Sequence, residues 1–485
     1  MARRARRAVR SRHRVITCVT AVAVTLALGA GYVAADLTDL APGPLTLADA
    51  PVRHYPDPAS TVAAAAVPED ADLDRAVDAQ AAQSLIDALG QAEGVGDAYS
   101  VVVTDAHGGI VASHEADTPR EPASTTKTLT AYAAASTLEM SSTLDTETYL
   151  EGTADAATLI LKGNGDMLLN AGHSDPTHVN GHAGLATLAE DTAAALNAKG
   201  VAAVTLAVDD TLFGTDRTPE NIEENNEEHR YYTPISTMAV DGGRDWTGLS
   251  AQDPDEFTEY PSLSQNTAAN AAARFAELLT GQGIAVNAVE TLDQTTVPAS
   301  YDASARLARV SSAPLNEVMA FMLRHSDNTL AQLFGRLTAL SLGTGNSVEA
   351  DSRAVAQVLR AHDVDTAGMT LTSCSGLAPG TRLTARTLAQ VQTLLLDPES
   401  GAAAAAEGMA LPGVTGTVRS RIADQSALGL MRVKTGALGN VRALTGVVSR
   451  TGGGALTFAA VVNDPENGWS ANKALDEFAA ALTKL

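Results

Sequence analysis

The sequence predicts an α+β protein with a long middle stretch that carries structure of its own. Three observations lead there. A strand–turn–strand pattern lies early in the chain (99–114), and three more strand-like runs lie near its end (432–463). Helical runs flank both sets. Between Lys127 and Ser326 lie roughly two hundred residues, too many for a structureless loop, and they carry strand and helix patterns of their own.

In chain order, seven arginines (Arg3, Arg4, Arg6, Arg7, Arg10, Arg12, Arg14) precede an apolar run from Val15 to Ala35. Positive charge ahead of an apolar stretch is the pattern of an export signal whose basic end stays inside. At about 21 residues the run exceeds an ordinary signal core and is just long enough to span a bilayer as a helix. Val33, Ala34 and Ala35 supply small residues for cleavage, so 1–35 is expected to be a signal peptide or a signal anchor. Prolines, acidic residues and the run Ala63–Ala66 mark 36–75 as a flexible linker.

A short helix is predicted over Ala81–Leu89. A hairpin follows, with Tyr99–Asp105 going out, a turn containing Gly108 and Gly109, and Ile110–His114 returning. A helix opens after Pro122 and runs from Ser124 to about Leu138, rich in Ala, Thr and Leu. Within the insertion, Thr158–Lys162 and Val204–Val208 read as strands, Gly184–Asn197 and Thr267–Leu279 as helices, and Glu220–Arg230 as a solvated acidic loop that could meet a substrate amine. From Pro314 the main domain resumes, with helices after Asn328 and over Leu383–Leu395. Strands Arg432–Lys434, Ala443–Ser449 and Leu456–Asn463 and a helix from about Ser470 complete it.

Three motifs stand on this frame in order: Ser124-x-x-Lys127, Ser326-Asp327-Asn328 and Lys434-Thr435-Gly436. A serine hydroxyl is a weak nucleophile and needs a base within hydrogen-bond reach. Positions i and i+3 of a helix share a face, which puts Lys127 beside Ser124. Lysine is a base only when neutral, and its reference pKa of about 10.4 falls on burial or beside a second cation, here Lys434. Ser326 is then placed to relay a proton to a leaving amine and Asn328 to bond a substrate amide. Lys434 should attract a substrate carboxylate, and Gly436 lets a backbone approach without a Cβ. Ser470-Ala471-Asn472-Lys473 also reads S-x-x-K but has no later partners, and Ser264-Gln265-Asn266 reads as a helix cap.

The ordered triple is the signature of the serine penicillin-recognising enzymes. Glu121–Thr130 resembles the active-site stretch of the class C, low-molecular-mass penicillin-binding proteins, D-alanyl-D-alanine carboxypeptidases and endopeptidases. Gly163–Asp166, Val208–Phe213, Ser375–Leu377 and Leu411–Arg419 resemble further segments of that family, from about residue 76 to the C-terminus. The resemblance implies a β-lactamase/transpeptidase-like domain, an antiparallel sheet flanked by helices, over 76–139 and 308–485. One or two smaller domains are inserted at 140–307. It implies Ser124, Lys127, Ser326, Asn328 and Lys434 as the catalytic set, and Ala437, Thr435 and Gly436 as the residues at the substrate and oxyanion, with no metal or organic cofactor. Peptidoglycan stem peptides and β-lactams are the implied partners.

The chain departs from the family in three places. Ala437 follows K-T-G where a hydroxyl residue is usual, Ser373-Cys374 stand before Ser375-Gly376-Leu377 in place of Asp-Gly, and Gln332 replaces an acidic residue. The rivals to a D,D-peptidase are a β-lactamase or esterase on the same scaffold, and a cell-wall binding protein without turnover.

Composition narrows the partners. The net charge of −24 repels nucleic acid, and 45% hydrophobic residues exclude disorder throughout. Contact with a membrane is expected only through the N-terminal segment, and the rest is expected outside the cytoplasmic membrane. Cys18 lies in the apolar run, leaving Cys374 as a buried small hydrophobe. His173, His178 and His182 cluster in a loop with spacing that fits no standard zinc pattern, and His325 reads as a packed histidine.

Overall fold

The structure, a computed structural model, describes residues 2–38, 40, 72–250, 252–295, 297–298 and 300–485. Most of the expected linker, 36–75, lies outside the described residues. Ala2–Leu37 form one helix, and its stretch Val19–Leu37 is long and apolar enough to cross a membrane.

The main sheet is assembled from both ends of the folded chain. Its five strands run in the order Met431–Leu438, Val441–Ser449, Ala455–Asn463, Tyr99–Asp105 and Ile110–His114. Every neighbouring pair is antiparallel. Side chains alternate between the faces of a strand, and Tyr99–Asp105 uses that to serve two cores. Val101 and Val103 share one with Ile86 of helix Ala79–Gly90 and with Leu475 and Phe478 of helix Gly468–Leu482. Val102 shares the other with Leu388 and Val391 of helix Ala385–Leu396 and with Tyr132. The sheet is thus antiparallel with helices on both faces, as predicted.

The inserted stretch builds a second five-stranded sheet in the order Ala285–Thr291, Ala203–Asp209, Ala156–Gly163, Asp145–Thr153 and Arg306–Ser311. The first three strands are parallel to one another and the last two junctions are antiparallel. Helices Leu185–Ala198 and Thr267–Gly281 bury one face. The other carries only a small cluster around Tyr149, Ile160 and Ala207. Asp166–Leu169 pairs in parallel with Met238–Val240 as a separate two-stranded ribbon.

The helix predicted from Ser124 to Leu138 is instead two pieces, a 3₁₀ turn over Ala123–Thr126 and an α-helix over Lys127–Ala135. The hydroxyls of Thr125 and Thr126 bond back to the carbonyls of Pro122 (2.7 Å) and Ala123 (2.8 Å). Such back-bonding competes with regular helix and favours a tighter turn. Strands Asp145–Thr153, Ala285–Thr291 and Arg306–Ser311 go beyond the sequence reading. The first is polar (D-T-E-T-Y-L-E-G-T) and the second largely exposed, so neither shows the apolar alternation that marks a half-buried strand.

Candidate active site

Lys127 opens the α-helix three residues after Ser124, and its Nζ lies 2.8 Å from Ser124 Oγ. The same nitrogen is 2.7 Å from Asn328 Oδ1 and 3.0 Å from the Ser375 carbonyl oxygen. Lys127 is fully buried. Burial, and after it the charge of Lys434, holds its pKa well below the usual lysine range, against an opposing pull from Asp327. A neutral lysine has two N–H donors and one lone pair. Asn328 Oδ1 and Ser375 O can only accept, while the Ser124 hydroxyl can accept from an ammonium or donate to a neutral amine.

Ser326-Asp327-Asn328 is the junction of two helices. Ser326 ends helix Leu315–His325 in the left-handed region at φ 58°, a strain on the order of 1 kcal/mol or more for a non-glycine residue. Asp327 caps helix Asn328–Leu342 by accepting from Leu330 N at 2.9 Å. The reversal turns Ser326 Oγ to within 2.9 Å of Lys434 Nζ and Asn328 Oδ1 toward Lys127. One N–H of the Asn328 amide donates to Tyr231 O at 2.8 Å.

Lys434 is buried on the outermost strand of the main sheet, and its Nζ also donates to Thr435 O at 2.9 Å. Burial first, then the charge of Arg421, lowers its pKa to about 7. Val433 exchanges backbone hydrogen bonds with Ala410 on the open side of this strand (2.9 and 3.2 Å). By the two-residue period, Thr435 and Ala437 turn their backbone groups to that side as well. They line, with Ser124, a cleft of about 460 Å³. The Thr435 hydroxyl meets that of Thr417 at 2.8 Å.

Gly436 has a different reason from the one expected. A Cβ there would come 2.6 Å from Pro122 O and 3.3 Å from Ala123 Cβ, so the turn carrying Ser124, rather than a substrate, occupies the space. Gly376 clamps the same turn from the other side. A Cβ on it would stand 2.1 Å from Ala123 O and 2.5 Å from Thr126 Oγ1, and its φ is 76°.

The cleft is also lined by Asn225, Arg230, Tyr231, Arg244, Tyr260 and Leu263, all from the inserted stretch and none read from sequence except within the acidic loop. That loop does more than face solvent: Asn225 Nδ2 donates to Leu377 O at 2.8 Å. Arg244 pairs with Asp327 at 2.8 Å and with Asp241 at 3.1 Å, and its guanidinium lies 4.5 Å from the Phe257 ring centre. No motif flags Arg244. The one sequence signal is that a carboxylate between Ser326 and Asn328 needs a cation.

The remaining candidates sort clearly. His178 faces Asp255 at 3.1 Å, His173 faces Glu190 at 3.7 Å, and His182 meets the His178 carbonyl at 3.0 Å, so the three turn to separate partners. His325 stacks on Phe257 with centroids at 4.4 Å and lies tilted against Phe321 at 4.3 Å, a packed histidine as read. Burial pushes the Cys374 thiol well up. Gln332 donates to Asp351 at 2.7 Å and accepts from Cys374 N at 3.1 Å, tying two of the family departures into one buried network with Arg336.

The D-Ala-D-Ala carboxypeptidase 3 (S13) family matches residues 81–262 and 256–482. Carboxypeptidase DacB of Mycolicibacterium smegmatis is 30% identical over 387 residues, covering 78% of this chain and 79% of that protein. A carboxypeptidase of Mycobacterium tuberculosis is 30% identical over 372 residues, covering 76% of each. The fold is similar to that of penicillin binding protein 4 from Haemophilus influenzae, at TM-score 0.67 and 19% identity over 84% of this chain and 100% of that one. The chain therefore belongs to the D-Ala-D-Ala carboxypeptidase 3 (S13) family, the class C low-molecular-mass penicillin-binding proteins, and is a serine-type D-Ala-D-Ala carboxypeptidase.

Proposed function

We propose that the chain acts outside the cytoplasmic membrane on peptidoglycan stem peptides or their cross-links through an acyl-enzyme on Ser124, and that penicillin acylates the same serine. Neutral Lys127 takes the Ser124 proton as Oγ adds to the carbonyl carbon of a D-Ala-D-Ala or D-linked amide. The oxyanion is held by the backbone N–H groups of Ser124 and Ala437. The C–N bond breaks as the leaving nitrogen takes a proton through Ser326, and water then hydrolyses the ester. Lys434 and Thr435 hold the substrate carboxylate side, and Gly436 seats the Ser124 turn. In the same reading 76–139 and 308–485 form the catalytic domain around an insertion at 140–307. Residues 1–35 serve as signal peptide or anchor and 36–75 as linker.

One observation carries this reading: two buried lysines of lowered pKa flank two serines, Lys127 at 2.8 Å from Ser124 and Lys434 at 2.9 Å from Ser326. Structural ion pairs do not place like charges in one dry cleft, whereas a base and an anion-binding proton donor require it. The test is intact mass with benzylpenicillin over time, beside Ser124→Ala. A lasting Ser124-dependent adduct supports the peptidase. A short-lived adduct with drug hydrolysis points to a β-lactamase, and a folded protein that forms no adduct points to a binding protein.

A further inference from the structure

We infer that Arg442 is a specificity-determining residue of the cleft, its guanidinium receiving the substrate carboxylate in the place left by the missing hydroxyl at Ala437. The inference rests on the acyl transfer at Ser124 proposed above, and it adds to Lys434 and Thr435 a cation that no motif marks. A hydroxyl residue usually follows K-T-G, and Ala437 offers only a methyl group there. The polar side chains beside it are already engaged. Lys434 Nζ bonds Ser326 Oγ and Thr435 O, and the Thr435 hydroxyl bonds that of Thr417.

Sheet register brings Arg442 to that gap. Across the antiparallel strands Met431–Leu438 and Val441–Ser449, Ala437 pairs with Arg442 and Thr435 with Leu444. Directly paired residues project from the same face of a sheet, with Cβ atoms about 5 Å apart. The two-residue alternation puts Thr435 on that face as well. Arg442, Ala437 and Thr435 all line the cleft that holds Ser124.

The guanidinium is held in place without being neutralised. Its Nη1 donates to Leu438 O at 2.5 Å and to Val441 O at 2.6 Å, and its Nε to Gly468 O at 3.1 Å. Gly468 opens helix Gly468–Leu482, and a Cβ on it would stand 2.3 Å from Nη2, so the glycine makes the seat for this group. Three of the five N–H donors are spent on carbonyls, and the two on Nη2 have no partner among the described residues. No carboxylate pairs with Arg442 among those residues either, whereas the other cleft arginines are matched, Arg230 with Glu228 and Arg244 with Asp327 and Asp241. Closing the hairpin accounts for the Nη1 and Nε bonds. It does not account for a half-buried, cleft-lining cation without an acid in a chain of net charge −24. A guanidinium already fixed by backbone carbonyls loses little freedom on binding, and a carboxylate is the acceptor that meets it best.

The test compares acylation rates with benzylpenicillin and with its methyl ester, in which the carboxylate is masked, by intact mass. The samples are the full chain, Arg442→Gln, Arg442→Lys, and Arg442→Gln combined with Ala437→Thr. Arg442→Gln should lower the acid-to-ester rate ratio about tenfold or more, as for loss of one charge-assisted hydrogen bond. Arg442→Lys, which keeps a cation but not the planar fork, should fall between. Ala437→Thr restores the hydroxyl and should recover part of the ratio in the glutamine background. A loosened hairpin would slow both compounds together. A ratio that stays put in Arg442→Gln and Arg442→Lys, or a double variant that recovers nothing, therefore overturns the assignment. So does a parent that takes acid and ester at equal rates. A folded parent acylated by neither compound removes the Ser124 reading beneath it instead.

Discussion

The two sheets solve different problems. The main sheet is buried on both faces, each packed against its own helices, and its outermost strand holds Lys434 at fixed distance from the Ser124 turn. The inserted sheet is buried chiefly on one face, and its outer strand Ala285–Thr291 is largely exposed. What it gives the site comes from the segment between its second and first strands, 220–263, which brings Tyr231, Arg244 and Tyr260 to the cleft. The main sheet therefore sets the positions of the motif serines and lysines, and the insertion sets charge and shape around them. A double-sided core tolerates little displacement, so substitutions in the two regions should differ in kind as well as size.

The largest effect belongs to the main domain. Lys127→Met keeps the volume but removes the proposed base, and acylation by benzylpenicillin, followed by intact mass, should slow by about a thousandfold or more. Next comes the clamp on the serine turn. Gly376→Ala forces a Cβ against the Ala123 carbonyl at a φ that disfavours side chains. A misplacement of Ser124 by about 1 Å should cost on the order of a hundredfold in the same assay, with a lower Tm.

Arg244 is where the insertion would break the division. Its removal leaves the Asp327 carboxylate unopposed, and that charge already pulls the Lys127 pKa upward. In Arg244→Gln the rising limb of the pH–acylation profile should move to higher pH. Each unit of displacement should cost about tenfold below the limb, and adding Asp327→Asn should restore it. A residue that only stabilised the fold would lower Tm and leave the limb in place. In the parent, acylation by a carboxylate-bearing substrate should rise as Lys127 loses its proton and fall as Lys434 loses its own near pH 7. Lys434→Arg, which stays charged, should erase the falling limb whatever it does to the maximum.

The smallest effect lies at the seam between the regions. Asp166 starts the short strand Asp166–Leu169, and burial raises its carboxyl to about 7. A raised carboxyl pKa gives stability that is intact below the unfolded value and lost as pH rises through the folded one. Asp166→Asn should therefore leave Tm unchanged near pH 4 and raise it by a few degrees at pH 8, read by thermal melts at both.

Legibility followed how local the signal was. Ser124 and Lys127 are three residues apart, so one turn of helix decides their contact, and the pair was readable even though the turn proved to be 3₁₀. Strand Tyr99–Asp105 and the strands near the C-terminus carried apolar runs that their burial on both faces demands. The polar strand Asp145–Thr153 did not, because its place comes from pairing with two neighbours rather than from its own side chains. Gly436 was readable as a close approach, but what approaches it was not.

By itself the sequence determined the family and the motif order: which serines and lysines stand in line, how far apart the motifs lie, and that further structure separates them. Only the tertiary structure decided that Lys127 and Lys434 are dry enough to share a cleft with lowered pKa, that Arg244 neutralises Asp327 across 83 residues, and that Arg442 stands across from Ala437 in the cleft wall. Residue order fixes which groups are available. Desolvation, charge pairing and empty volume depend on what surrounds a group in space, and that is settled only when distant segments pack together.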